Sequence, residues 1–382
     1  MKAAQGRMRI AVLNRVFSPT GGGAERYSIA LVEQLAQQHE VHIFAQQIDH
    51  HWPDVNYHLL GTPLTRPRWL NLLSYAMLTW WLTRRGFDIV HSHESIWHGQ
   101  VQTVHVLPLK YNLFQGRSGW RRTLRWLKVT TSPRLLAYLL MERFRFAPGS
   151  RKAVVVTSPG LAKVVEQTYP GCAVALLSPG VNLPPDDFDR LAARRELALP
   201  EAARLLAFVA NDYQKKGLSV LLEAMRALAP DVELAVVGNP SQIEKYQRKA
   251  ASLGLAARVH FLGQLRDTSP LYRAADMLVH PTTEDTFAMV VLEAMAHGLP
   301  VVVSDSRYCG IAGLLTHASN AMILSSPTDA TQLSLLLARI LQDVDLRDCL
   351  GTHARQFAQE RAWPRIAQEQ ELMYRGLLDR AV

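Results

Sequence analysis

Two α/β units, each built on a parallel sheet, are what this sequence predicts, and three observations predict them. From residue 9 to residue 378, short apolar runs of strand length alternate with longer runs whose apolar residues recur at helical spacing. The chain has 382 residues, enough for two cores of ordinary size. A polar, proline-bearing run ending at Pro200 divides the alternation into two halves and reads as a linker. The expected units are 1–178 and 179–361, with a last helix over 362–382.

Composition narrows the class. Hydrophobic residues make up 48% and charged residues 20%, the balance of a soluble globular protein. Cys172, Cys309 and Cys349 are odd in number and far apart, which argues against a disulfide framework or a zinc cluster and for a reducing compartment. The N-terminal apolar run is too short for a secretory signal and reads as a first strand. No window holds the ~20 apolar residues that a membrane span needs; 70–82 comes nearest and falls short. A formal charge of +9 and a pI near 9.6 call for an anionic partner: nucleic acid, anionic lipid or a polyanionic substrate.

In chain order, 9–14 is a compact apolar strand that ends in the loop 15–23 and the helix 24–37. Strand, glycine run and helix let backbone N–H groups approach a diphosphate without side-chain interference, while Gly22 and Gly23 alone also fit a plain turn. Strands at 41–45 and 89–91, with a helix at 70–85 between them, continue the alternation of a doubly wound sheet. His91, His93 and His105 follow. A His-x-His pair can hold metal, but no third ligand lies at suitable spacing, so no metal is expected. Residues 102–105 read as a strand end, where an α/β sheet exposes its working residues.

The stretch 110–152 is the most unusual in composition, with eleven Lys and Arg against the single acid Glu142, interleaved with aromatic residues. An ordinary solvated face mixes both signs of charge. Arginine and tryptophan at helical spacing, as in Trp120, Arg121, Arg122, Arg125 and Trp126, favour a helix lying in the headgroup layer of an anionic membrane. Arg68, Trp69, Trp80, Trp81, Arg84 and Arg85 can extend that surface. Single-stranded nucleic acid also fits a basic aromatic patch, but no RRM, KH or zinc-binding pattern accompanies it, and no nucleic-acid partner is expected.

The second half opens with a strand at 205–210 and a helix at 218–228. Lys216 stands between them, where it can neutralise a leaving diphosphate; a surface lysine is the plain alternative. Strands at 234–238, 259–262 and Met277–His280 lead into 280–304, HPTTEDTFAMVVLEAMAHGLPVVVS. Here 287–296 carries apolar residues at helical spacing, Gly298 and Pro300 stop the helix, and 301–303 resume a strand. Glu293 inside that helix is costly without a partner, and the helix mouth near Asp285 offers N–H groups and positive dipole to an anion. A ligand with hydroxyls and phosphate satisfies both ends; alternatively Asp285 caps the helix and Glu293 pairs with a neighbouring Lys or Arg. Helices at Ala330–Gln342, 346–361 and 363–378 complete the chain.

Asp285 and Glu293, with Ala294-Met295-Ala296, Gly298 and Pro300-Val301-Val302, resemble the signature E-G-F-G-x-x-x-x-E-A-M-A-x-G-x-P-V-V of the retaining nucleotide-sugar glycosyltransferases of family 4. Asp285 stands at that signature's first Glu and Ala288 at its second Gly. Gly22-Gly23-Ala24-Glu25-Arg26 resembles the family's G-G-x-E-R loop. Lys216-Gly217 with Ala224 resembles its lysine motif, and Ser178-Pro179-Gly180-Val181-Asn182 its hinge. The resemblance spans 9–378 and implies the GT-B fold: two Rossmann-like domains facing a cleft, with the last helix crossing back to the first domain.

The same resemblance implies roles. Glu293 binds ribose hydroxyls, and the 286–289 loop, Thr286, Phe287, Ala288 and Met289, brings N–H groups to the phosphates. Asp285, one methylene shorter than Glu, grips hydroxyls of the donor sugar, and His105 in the T-x-H pattern faces that sugar. Lys216 stabilises the departing diphosphate. Lys215 supplies the second positive charge where many members carry an Arg before the motif and this chain has Asn211. Gly22 and Gly23 close over the diphosphate. No enzymic nucleophile, cofactor or metal is implied. The implied activity is retaining transfer of a hexose, with UDP-glucose the favoured donor, to a lipid-linked saccharide such as lipopolysaccharide core at the inner face of the cytoplasmic membrane. A GT-B nucleotide-sugar epimerase, a pyridoxal-phosphate phosphorylase and a non-catalytic membrane-associated scaffold are the alternatives.

Overall fold

The computed structural model describes residues 6–19, 22–62, 64–185 and 189–380. They form two compact units: Met1–Gly180 together with Trp363–Val382, and Val181–Ala362. Thr20 and Gly21 of the glycine loop, and Asp186, Asp187 and Phe188 of the expected linker, lie outside the described residues.

In the first unit, β1 (Arg9–Leu13) leads through β2 (Val16–Phe17) into α1 (Gly23–Leu35), and β3 (Glu40–Ala45), β4 (Gln47–Ile48) and β5 (Val55–Leu59) follow. Next come α2 (Arg68–Thr83), β6 (Ile89–Ser92) and β7 (Val101–Val104). Three helices, α3 (Leu109–Phe114), α4 (Gly119–Thr130) and α5 (Pro133–Arg145), precede β8 (Ala153–Val156), α6 (Pro159–Thr168) and β9 (Val174–Leu176). The main sheet has the order β5-β3-β1-β6-β7-β8-β9, parallel at every pairing. Strands β1, β6, β7 and β8 are buried almost throughout, as strands with helices on both faces must be. The strand order reverses between β1 and β6, and the loops leaving those two strands are tied together by Arg15, whose backbone N–H and guanidinium donate to Glu94 at 3.0 and 3.1 Å.

The second unit contains α7 (Arg190–Glu196), β10 (Arg204–Ala210), α8 (Leu218–Met225), β11 (Val232–Gly238), α9 (Ile243–Ser252) and β12 (Val259–Gly263). It continues with α10 (Ser269–Ala274), β13 (Met277–His280), α11 (Met289–Ala296), β14 (Val301–Ser304) and β15 (Met322–Leu324). Two helices, α12 (Ala330–Gln342) and α13 (Val344–Gln359), complete it. Its sheet runs β12-β11-β10-β13-β14-β15, again parallel, with the reversal between β10 and β13. The last helix, α14 (Trp363–Asp379), belongs to the first unit. Its Trp363, Ile366, Tyr374 and Leu377 join the core that Tyr27, Leu31 and Ile10 build.

Three readings change. Part of the run taken as a linker is folded into the second unit as α7. Asp189 caps that helix by accepting the Leu191 and Ala192 N–H groups, and buried Arg194 anchors it to the Ala274 and Ala203 carbonyls and, at 3.0 Å, to Asp276. Helix α11 begins at Met289, two residues later than expected, because Ala288 holds a left-handed backbone (φ 77°, ψ 71°) that interrupts the helical path. Conversely, α1 takes in Gly23 with Gly22 as its cap, so of the two glycines expected to close over a diphosphate Gly23 is helical and Gly22 stands just outside the helix.

Candidate active site

In the second unit, the loops leaving β10 and β13 flank the reversal of strand order and supply the charged groups. After β10, the chain turns at Gly217 (φ +82°), where a Cβ would stand 2.1 Å from the Pro281 carbonyl oxygen; only glycine permits this approach. The two loops are stitched together where the Thr283 N–H and hydroxyl both donate to the Lys215 carbonyl, at 2.9 and 3.0 Å. That stitching fixes Lys216, whose ammonium donates to Asp285 Oδ2 at 2.7 Å and to the Glu284 carbonyl at 2.8 Å.

Asp285 is held from several sides. His280, fully buried at the end of β13, lies 3.1 Å from Oδ2 through Nε2, and Oδ1 accepts the Phe287 N–H at 3.3 Å. Its backbone bridges to Cys309: Asp285 N–H donates to the Tyr308 carbonyl and Gly310 N–H to the Asp285 carbonyl. Burial alone would raise this carboxyl; the His280 contact, followed by the Lys216 charge, outweighs it and holds Asp285 well below the usual carboxylate range. Phe287 and Ala288 are buried in the core and anchor the loop ahead of α11. The Phe287 N–H is already engaged and the Val291 N–H donates to the Ala288 carbonyl at 3.0 Å, so the N–H groups left at this helix mouth to meet an anion are those of Ala288, Met289 and Val290. Glu293, one turn inside, accepts the hydroxyl of buried Tyr272 at 2.8 Å. Lys215 is exposed and faces Glu284 at 3.5 Å.

In the first unit, the corresponding carboxyl edge carries histidines. His105 follows β7, and its Nε2 lies 3.2 Å from Nδ1 of His93, with the two rings stacked at 5.5 Å. Tyr27 of α1 packs edge-on against His105 at 5.2 Å. Behind them His91 joins Tyr374 and Thr103, at 2.6 Å on each ring nitrogen. Buried Arg145 donates to the Thr103 carbonyl at 2.7 Å and to Ser95. Burial first, then the Arg145 charge, brings His105 down to about 3, which leaves the ring neutral at pH 7. Among the described residues no group of three or more His, Cys, Asp or Glu is arranged to hold a metal ion.

The same unit exposes the basic aromatic segment. Helix α4 buries Val129 and leaves Trp120 (68% exposed), Leu124, Trp126 and Leu127 in solvent, with Arg121 over the Trp120 ring at 5.6 Å. Leu140 and Phe144 of α5 and Trp80 and Trp81 of α2 are exposed as well. No helix among the described residues is long and apolar enough to cross a membrane.

Residues 21–184 match the family model described as Glycosyltransferase Family 4, and residues 189–357 the model described as Glycosyl transferases group 1. The chain belongs to glycosyltransferase family 4. This family 4 chain is 30% identical over 233 residues to the lipopolysaccharide glucosyltransferase WaaG of Escherichia coli (strain K12), a match covering 58% of this chain and 61% of WaaG. It is 29% identical over 222 residues to a D-inositol 3-phosphate glycosyltransferase of Corynebacterium jeikeium (strain K411), covering 54% of this chain and 52% of that one. In both cases the match spans less than two thirds of the relative. Among solved structures, WaaG shares the fold at a TM-score of 0.77 and 23% identity, covering 94% of this chain and 98% of WaaG. Sucrose-phosphate synthase of Thermosynechococcus elongatus has the same TM-score and identity, with 98% and 100% covered. Anabaena HepE, solved with UDP and glucose, gives 0.73 at 18% identity, covering 96% of this chain and 99% of HepE. These likenesses show two Rossmann-like domains of the GT-B class.

The family 4 motifs led to Lys216, Asp285, Glu293 and His105. Reading the sequence did not single out His280, Tyr272 or Arg145 as partners of those residues. His280 carried a usable signal, since it ends a strand directly ahead of a proline turn, at the edge where such sheets work. Tyr272 and Arg145 carried none, because they lie on helices and meet their partners only through the fold.

Proposed function

We propose that this protein is a retaining glycosyltransferase that moves a hexose from a nucleotide diphosphate sugar to a lipid-linked or polyanionic saccharide. One observation carries the reading: Lys216 and Asp285 meet at 2.7 Å, on the loops leaving the two strands that flank the reversal in the second sheet. That edge is where open α/β sheets take their ligands. In this reading the Lys216 ammonium and the amino end of α11 stabilise negative charge as the bond from the anomeric carbon to the diphosphate oxygen breaks. The acceptor hydroxyl bonds to the same carbon from the face the diphosphate leaves, and its proton passes to a diphosphate oxygen. Asp285 orients sugar hydroxyls and Glu293 the ribose. Neutral His105 keeps the role that the family's T-x-H pattern implies, a hydrogen-bonding group for the donor sugar, and no cofactor or metal takes part.

UDP-glucose is the proposed donor, supported by the WaaG likeness and by HepE, whose structure contains UDP and glucose. The exposed tryptophans and arginines of α4 support an acceptor presented at an anionic membrane surface, with the protein peripheral to the inner face of the cytoplasmic membrane. The test is turnover of UDP-glucose with a lipid-linked acceptor. Lys216→Ala lowers kcat by about two to three powers of ten, the effect of removing one charge-stabilising donor; turnover near that of the unaltered protein would refute the assignment.

A further inference from the structure

The second unit holds another recess, of about 450 Å³, bounded by α10, the turn that ends α11 and α13. Its floor is set by glycine. Gly298 leaves α11 at φ +71°, and a Cβ on Gly351 of α13 would stand 2.6 Å from the Gly298 carbonyl oxygen, so the two backbones touch. Around this floor stand Arg190, Arg273, Arg347 and Arg355, with His297 beside Tyr272. Two carboxylates share the recess, and both are engaged. Asp276 is bound by Arg190 and Arg194 and accepts the Leu205 N–H at 2.7 Å, while Asp348 lies in solvent 3.5 Å from Arg347.

Arg273 differs from the others. Among the described residues no carboxylate lies within ion-pair distance of it, and its buried Nε has no acceptor. Leaving a buried charged donor without a partner is costly, and that cost is relieved by an anion. The local field is positive: burial, then Arg273, and with it Arg355, bring His297 down to about 4 against the opposing charge of Asp267.

We propose that this recess binds a small phosphate-bearing anion through the guanidinium groups of Arg273, Arg347 and Arg355. The planar fork of donors on arginine matches phosphate oxygens two at a time, and the recess is of the size that holds a metabolite. The Tyr272 hydroxyl on its wall donates to Glu293, so the site lies one hydrogen bond behind the carboxylate assigned to the ribose. That last connection rests on the proposed donor site; the anion site itself does not.

Pyrophosphate titrated calorimetrically into the Lys216→Ala chain reads this recess apart from the donor side. One equivalent binds, and Arg273→Gln and Arg355→Gln each weaken it at least tenfold, with circular dichroism confirming that both variants fold. No binding to the Lys216→Ala chain, or binding indifferent to both substitutions, would overturn the proposal and leave the turnover result for Lys216→Ala standing. Vesicles of phosphatidylglycerol separate the two sources of such a phosphate. A free anion leaves vesicle binding by the Arg273→Gln chain unchanged, whereas loss of vesicle binding would overturn the free-anion assignment in favour of a lipid headgroup.

Discussion

Ala288 is buried at the amino end of α11 in a left-handed backbone conformation, where the family signature that the sequence resembles carries glycine. A residue with a Cβ pays ~1–2 kcal/mol there, and the extra freedom that glycine adds to the unfolded chain costs ~0.4–1 kcal/mol. Ala288→Gly therefore raises stability by up to ~1.6 kcal/mol, read as a higher urea midpoint at unchanged slope. A lower midpoint would mean that the buried methyl contributes more by packing than the backbone costs. His105 tests the other side of the chemistry. Its ring is neutral and fixed by His93 and Tyr27, so His105→Ala lowers transfer more than it lowers UDP affinity. Equal loss of both, measured as turnover against calorimetric binding, would assign the ring to nucleotide binding instead.

Element by element, legibility followed how locally each piece is determined. Met277–His280 and Ala330–Gln342 were readable to the residue, because a short apolar run and a helical period are properties of neighbours in sequence. Helix α7 was not, since seven residues rich in arginine acquire their reason to fold from Asp276, 82 positions beyond Arg194. The edge strand β5 escaped for a similar reason: its burial pattern is mostly exposed, and β3 alone defines it. In the site, Lys216 and Asp285 were separately readable, but the salt bridge between them depends on the β10 and β13 loops meeting. Helix α4 is a case where composition did reach the surface it predicts. Its exposed Trp120, Leu124 and Leu127 carry neighbouring arginines that no acid of the same helix offsets. Replacing Arg121, Arg122 and Arg125 with Gln removes three charges, each worth ~1 kcal/mol near an anionic bilayer. Sedimentation with phosphatidylglycerol vesicles at low salt therefore falls sharply, while sedimentation equal to that of the unaltered protein would remove the membrane from the account.

At the scale of the whole molecule, the two units differ in what acid does to them. The first unit buries His91, His93, His98 and His105 as neutral rings. Burial is the leading cause in each case, bringing His91 and His105 to about 3, His98 to about 4 and His93 well below its ordinary value. An unfolded imidazole titrates near ~6.5. Between that value and the folded ones, the unfolded chain binds protons that the folded chain does not, so stability rises with pH across this window. The contribution is complete above pH ~6.5 and is lost as pH falls toward the folded values, with a slope approaching ~1.4 kcal/mol per pH unit for each ring. In the second unit burial first, and then the Arg273 charge, brings His297 down to about 4, and the depressed Asp285 begins to cost stability only below the ordinary carboxylate range. Hydrogen exchange read by mass spectrometry reports each unit from its own peptides. On lowering the pH from 7.5 to 5.0, and after correction for intrinsic rates, peptides of β6, β7 and α14 lose protection before those of β10 and β13. His91→Gln narrows the difference, because one of the rings that acid must charge is gone. Equal loss in both units would mean that the histidine cluster behind His105 is already protonated in the folded protein, and the neutral ring assigned to the donor sugar would fall with it.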